Sequence, residues 1–254
     1  LFIDEAYSLA SDSGSNNGFG DEAISTLVKA MEDKRDSLAI VVAGYSKDMD
    51  EFIKSNQGLK SRFQTFIEFE DYGTEDLIKI FKLISSATPV VVTSEVEQAL
   101  REYIIDFKPK GEDGNGRFAR NLFEKMFLIR TFEETIQSLF QKGEIVGTTH
   151  LYSGQEAVAV GVSNALSPTD RALGNHRSHG HFLSLGGSPS KLFSEVLGNA
   201  DGCSGGKGGS MHISSVGEGF YGSMPIVAGT IPIAVGAALA LKRKQGDDIA
   251  VAYF

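Results

Sequence analysis

Between Arg117 and Gln141, apolar residues recur at Phe118, Leu122, Met126, Ile129, Phe132 or Glu133, Ile136 and Phe140. Spacings of three and four predict one helical stripe with a polar option at Glu133, and Lys142-Gly143 reads as its C-terminal stop. Elsewhere, short unbroken apolar runs predict buried parallel strands: Leu1-Phe2-Ile3, which ends on Asp4 and Glu5, then Leu38 to Ala43, then Phe66 to Phe69. Helical spacing returns at Ala23, Leu27 and Met31 behind a capping Asp21, at Met49 and Phe52, and at Leu77, Ile80, Phe81 and Ile84 after Thr74. Ser94-Glu95-Val96-Glu97 is a capping box for a helix through Leu100 and Ile104. Gly154-Gln155-Glu156 opens a small-residue helix to about Leu166, and Ser188-Pro189 caps one through Leu192 and Val196. Ile226 to Leu241 contains Pro232 and two glycines, falls short of the roughly 20 apolar residues of a membrane span, and reads as a buried helix. Alternating strands and helices give an α/β class.

Charge and composition change along this pattern. Residues 1–125 hold 15 Lys/Arg against 23 Asp/Glu, a net of −8, whereas residues 126–254 hold 9 against 10. All five histidines and 20 of the 29 glycines fall in the second part. Two segments with different tasks are expected, meeting at a seam near Glu124, Lys125 and Met126. The net charge of −9 argues against nucleic-acid binding, and no membrane span or charged leader region is expected. A lone cysteine, Cys203, fits a reducing cytoplasm.

The first segment carries ordered motifs: Leu1-Phe2-Ile3-Asp4-Glu5-Ala6-Tyr7, Val41-Val42-Ala43-Gly44-Tyr45, Asn56-Gln57-Gly58-Leu59-Lys60-Ser61-Arg62-Phe63 and Gly114-Asn115-Gly116-Arg117. Residues 1–124 thereby resemble AAA+ ATPases, of the type that includes stage V sporulation protein K and the red-type Rubisco activases. The resemblance implies a nucleotide-binding core over 1–70 and a helical lid over 71–124. It also implies ATP and Mg²⁺, with Asp4 on the metal and Glu5 polarising water. Arg62 is implied to reach the nucleotide of a ring neighbour, and Arg117 to face the phosphates. Tyr45 stands where most of that family has a small polar residue. The phosphate-cradling string Gly-x-x-x-x-Gly-Lys-[Ser/Thr] does not occur in the chain, so no ATP hydrolysis is expected from it.

Asn175-His176-Arg177-Ser178-His179-Gly180-His181 packs three imidazoles and a guanidinium into seven residues, a set that suits an anionic phosphate better than a metal. Gly202 to Ser210 reads as a flexible basic loop. Gly217-Glu218-Gly219-Phe220-Tyr221-Gly222 matches a dinucleotide fingerprint but lacks its strand-turn-helix context.

Five ordered blocks, Phe127 to Glu134, His150 to Ala157, His176 to Gly180, Gly206 to His212 and Ile226 to Pro232, make residues 126–254 similar to the alpha subunit of thiamine diphosphate-dependent 2-oxo acid dehydrogenases of the pyruvate or acetoin type. That resemblance implies thiamine diphosphate and Mg²⁺, a beta subunit as partner, and oxidative decarboxylation of a 2-oxo acid. His150 would face substrate and cofactor, His176 and Arg177 would approach the cofactor with Arg177 on the diphosphate, and Pro225 and Val227 would meet the aminopyrimidine. His176 stands where the family usually has Tyr. The Gly-Asp-Gly string that begins the family's diphosphate segment is absent, so no thiamine diphosphate affinity is expected of the chain alone. The expected architecture is two incomplete units, a partial AAA+ core with helical lid and a partial thiamine diphosphate-binding fold, joined by a long helix. The expected function is that of a fragmentary fusion. An ATP-hydrolysing remodelling protein and a non-catalytic interaction module are the alternatives.

Overall fold

The computed structural model describes residues 1–11, 19–108 and 115–254. Residues 12–18 of the expected Ser/Asn/Gly loop and Gly114 of the last AAA+-like motif lie outside the described residues. The chain forms two compact units, Leu1–Glu70 and Asp71–Phe254.

In the first unit, β1 (Phe2–Ile3) pairs in parallel with β2 (Val41–Val42), Phe2 opposite Val41 and Ile3 opposite Val42. Around the pair lie α1 (Ser8–Ser11), α2 (Phe19–Asp33), α3 (Ser46–Ser55) and α4 (Gln57–Arg62). Their apolar sides bury Ile24, Leu27, Phe52, Ile53 and Leu59. The strands are not buried on both faces as their composition suggested. Successive side chains alternate between faces, so Ile3 and Val42 pack on the core while Phe2 and Val41 stay 64% and 57% exposed. Phe66 to Phe69 is not a strand either. No ladder partner lies beside it among the described residues, and Phe66, Ile67 and Phe69 are exposed. α2 begins at Phe19, which puts Asp21 in its first turn, where its charge favours the helix dipole. Asn56 caps α4, its Oδ1 accepting from the Gly58 and Leu59 amides at 2.7 and 3.3 Å.

The second unit begins with α5 (Thr74–Ser85) and α6 (Ser94–Phe107). Thr93, one residue before the expected Ser94, caps α6 through the Val96 amide. Then α7 (Gly116–Gln141) runs unbroken for 26 residues through Lys125. Its stripe buries Phe118, Leu122, Ile129, Phe132 and Ile136, while Phe140 is half exposed beside the helix end. Gly143, at φ 76, closes that end: its amide donates to Phe140 O and the Glu144 amide to Leu139 O, both at 3.0 Å. The left-handed turn is why a glycine stands there.

α5 and α6 cover the first half of α7, where Phe81 meets Phe123 edge-on at 5.4 Å. The second half is covered by α8 (Glu156–Asn164) and α9 (His179–Ser184). Tyr103 of α6 donates to Gly161 O of α8 at 3.2 Å, so helices from the two sides of Lys125 touch. One apolar cluster accordingly runs from Leu77 to Tyr253, and Lys125 falls within the second compact unit rather than at a boundary between units.

Beyond α8, β3 (Arg171–Gly174), β4 (Phe220–Ser223) and β5 (Ala250–Ala252) form a parallel sheet in the order β4-β3-β5. α10 (Pro189–Val196), capped by Ser188, and α11 (Thr230–Arg243) complete the unit. Gly217 lies in a 3₁₀ turn over Val216–Glu218 that Gly219 ends, and Gly222 lies within β4, so the string leads into a strand instead of following one. α11 corrects the expectation of a buried helix. It is apolar nearly all round, but the sheet covers only the side carrying Ala234 and Leu241, leaving Ile231, Ile233, Val235 and Leu239 exposed. No described helix is long and apolar enough to cross a membrane.

Candidate functional site

In the first unit, Asp4 and Glu5 stand exposed at the carboxyl end of β1. Asp4 Oδ1 accepts from the Glu5 amide at 3.1 Å, and Glu5 has a left-handed φ of 49. Arg62 closes α4, where its Nη2 pairs with Glu32 Oε2 at 2.5 Å. Arg117 belongs to the other unit, exposed in the first turn of α7. No group of three or more metal-ligating side chains occurs among the described residues.

In the second unit, the strand order reverses direction about β3: the chain passes from β3 to β4 on one side and then to β5 on the other. Crevices at the carboxyl ends of such strands are where open parallel sheets take ligands. Three carboxyl ends meet here. Met224 N donates to Gly174 O at 3.0 Å, and Tyr253 N donates to Leu173 O at 2.9 Å. His176 and Arg177 follow β3 directly, and Pro225 follows Met224. A turn over 226–229, closed by Gly229 N on Ile226 O and holding Ala228 at φ 63, leaves Val227 64% exposed. A cavity of about 450 Å³ lies on the β4 side, lined by Leu173, His212, Ser223, Met224, Thr230 and Ile233; His150, His176 and Arg177 do not line it.

Arg177 ties the β3 loop to the segment ahead of α8: its Nη1 donates to Leu151 O at 2.5 Å and its backbone amide to Asn175 Oδ1 at 2.8 Å. His150 is thereby brought to His176, ring centroids 4.8 Å apart and edge to face. Burial first, and then the neighbouring His176, Arg177 and His179 side chains, lower the pKa of the His150 imidazole. The Nδ1 atoms of His150 and His176 and the Thr149 hydroxyl are buried without hydrogen-bond partners. Unpaired buried polar atoms are costly, so three together beside a guanidinium mark a place built for a polar ligand.

Behind them runs a second set that motif reading passed over. His179 is fully buried; its Nδ1 lies 2.9 Å from Glu133 Oε1 and its Nε2 3.0 Å from Ser210 Oγ, and Ser210 Oγ accepts from the His150 amide at 3.3 Å. The signal was present in the sequence: Glu133 shares the apolar stripe of α7, and a carboxylate on a buried face requires a partner. Glu156, also buried, accepts from Arg130 Nε at 2.7 Å and from the Gly154 amide at 3.0 Å. His181 stacks on Tyr253 at 3.7 Å.

The Gly202 to Ser210 stretch is not a loose loop. It wraps the fully buried Glu195 of α10, whose two oxygens accept from the amides of Ser204, Gly206, Gly208 and Gly209 at 2.6 to 3.3 Å. Glycines are needed because the loop closes tightly: a Cβ on Gly208 would sit 2.0 Å from His212 O.

Residues 124–254, just over half of the chain, match the model of the dehydrogenase E1 component. The chain belongs to the dehydrogenase E1 component family. Residues 1–71 match the model of ATPases associated with various cellular activities, and 73–131 match the AAA lid domain. The lid and dehydrogenase matches overlap over residues 124–131, within α7 and around the expected seam. Relatives come from both families. The alpha subunit of acetoin:2,6-dichlorophenolindophenol oxidoreductase from Bacillus subtilis is 41% identical over 133 residues, 52% of this chain and 40% of that protein. Stage V sporulation protein K from Bacillus subtilis is 39% identical over 149 residues, 58% and 46% respectively. The mitochondrial pyruvate dehydrogenase E1 component subunit alpha of Solanum tuberosum is 36% identical over 171 residues, 67% and 44%. The chain thus spans less than half the length of these curated relatives.

Proposed function

We propose that residues 126–254 form the cofactor-facing part of the alpha subunit of a thiamine diphosphate-dependent 2-oxo acid dehydrogenase, acting in the cytoplasm on pyruvate or a similar 2-oxo acid. The observation that carries this reading is the convergence of His150, His176 and Arg177 just beyond the carboxyl end of β3, with two buried imidazole nitrogens unpaired. A diphosphate-bearing heteroaromatic cofactor fits that set, since it offers anionic oxygens to Arg177 and His176 and ring partners to His150. When bound, it supplies the thiazolium carbon that adds to a 2-oxo acid and takes up the electrons of decarboxylation. The chain's own part is to anchor: Arg177 holds the diphosphate side, His150 faces the substrate side, and Pro225 and Val227 offer backbone and an apolar wedge to the aminopyrimidine.

The 254 residues contain no Gly-Asp-Gly string for Mg²⁺-diphosphate, and the carboxylate that activates the pyrimidine is a beta-subunit contribution in this reading. Calorimetry with thiamine diphosphate and Mg²⁺ is expected to give no heat of binding with the chain as it stands. A version carried on through the family's Gly-Asp-Gly segment and paired with a beta subunit is expected to bind the cofactor and to release CO₂ from pyruvate. Arg177→Ala in that complex should abolish both. Failure of the completed complex to bind, or micromolar binding by the chain alone, overturns the reading.

A second reading rests on Asp4 and Glu5 at the carboxyl end of β1, where an AAA+ ATPase holds Mg²⁺ and polarises water. In this reading the first segment derives from such an ATPase, whose ring neighbours Arg62 would serve. With no Gly-x-x-x-x-Gly-Lys-[Ser/Thr] string present, the chain is expected to release no phosphate from Mg-ATP, and measurable turnover refutes that. Sequencing the transcript across codon 125 tests whether one message encodes both segments.

A further inference from the structure

The histidine at the proposed substrate side is itself held by a buried relay. We propose that Glu133, His179 and Ser210 are positioning residues for His150, a role that rests on the reading of His150 given above. Four separate pieces of chain contribute: α7 gives Glu133, the first residue of α9 gives His179, the end of the glycine-rich loop gives Ser210, and His150 receives the result.

The direction of the hydrogen bonds follows from the chemistry of each group. With Glu133 ionised its oxygens only accept, so the proposed relay has His179 Nδ1 donating to Glu133 Oε1, and a neutral ring then leaves Nε2 as an acceptor. The Ser210 hydroxyl then spends its proton on Nε2, which leaves its oxygen lone pairs free for the His150 amide. Each group's state fixes the next, and Glu133 sets the whole sequence. Burial makes the chain stiff: Glu133 and His179 are fully enclosed, Ser210 nearly so, and the His179 ring stands edge-on to Phe132 at 5.5 Å. Nothing here requires Ser210 to act as a nucleophile, because it is sealed from solvent. What the relay controls is the backbone of His150, whose ring packs edge-on to His176 at 4.8 Å; the Nδ1 atom of each ring is buried and unpaired.

The test uses the whole chain with ¹³C,¹⁵N-labelled histidine and no cofactor, with the signals assigned by His150→Gln and His179→Gln. Wild type is expected to show His179 as the Nδ1–H tautomer at neutral pH. Ser210→Ala should displace both the amide and ring signals of His150, and Ser210→Thr, which keeps the hydroxyl, should restore them. Glu133→Met keeps the volume and removes the acceptor; it should shift His179 toward the Nε2–H tautomer and move the His150 amide as well. Ser184→Ala, which deletes a buried hydroxyl bonded to His181 O outside the relay, should leave His150 unmoved. An Nε2–H tautomer in wild type, or an unmoved His150 in either folded variant, would overturn the proposal. Because no cofactor enters, this result can fail while the dehydrogenase reading stands, or hold while that reading falls.

Discussion

His181 provides a stability test that runs through pH. It is 2% exposed, with its ring against Tyr253 and edge-on to Tyr152 at 4.9 Å, and its Nδ1 lies 3.2 Å from Ser178 Oγ. Burial, helped by neighbouring His179, pushes its pKa from 6.5 down to about 3. The lowered value means that the unfolded chain binds the proton more tightly than the folded one. Stability is therefore full above the unfolded value and is lost as pH falls from there through the folded value. At about 1.4 kcal/mol per unit, the loss approaches roughly 5 kcal/mol at the acid extreme and is about 2 kcal/mol at about pH 5. His181→Phe keeps the ring packing and removes the proton site. Denaturant unfolding of both proteins at about pH 8 and about pH 5 isolates this contribution, since other groups cancel in the double difference. Wild type should lose about 2 kcal/mol more than the variant, or roughly 4–8 °C of melting temperature for the second unit. Equal losses would mean that His181 titrates normally in the folded state, and the burial argument would be wrong.

Other consequences are more local. Glu195→Gln should destabilise the second unit by roughly 2–4 kcal/mol, because the amide turns an NH₂ toward backbone donors that a carboxylate satisfied; proteolysis within 199–210 should accelerate. Gly208→Ala forces a methyl against His212 O and should cost about 1–3 kcal/mol in thermal unfolding. Ile136→Ala, fully buried on α7, should cost about 2–5 kcal/mol, and that loss should appear equally in probes placed in α5 and in the β3–β5 sheet if one core joins them.

Much of this was legible in the residues because the signals were local. The stripe from Phe118 to Ile136 and the Lys142-Gly143 stop described α7, since helical periodicity and a left-handed glycine act within a few residues. Ser188-Pro189 placed the start of α10 for the same reason. The ordered blocks pointed to both families, and model matches over 1–71, 73–131 and 124–254 agree with that recognition. Short apolar runs misled, because a run does not say whether a partner will lie beside it or cover it. Phe66 to Phe69 found no ladder, and Phe2 and Val41 ended on the uncovered face. In the candidate site, His150, His176 and Arg177 were visible as chemistry, but Glu133, His179 and Ser210 were not visible as a set. They stand 46 and 31 residues apart and meet only through packing.

The sequence by itself determined where the longer helices lie, which families the segments resemble, and which histidines cluster along the chain. Only the tertiary structure decided that helices on the two sides of Lys125 share one apolar cluster, that a buried glutamate organises the glycine-rich loop, and that a carboxylate from α7 reaches His179. The physical reason is range. Propensity, capping and periodicity are settled between near neighbours, whereas a buried charge or an uncovered apolar face depends on whatever distant element comes to rest against it.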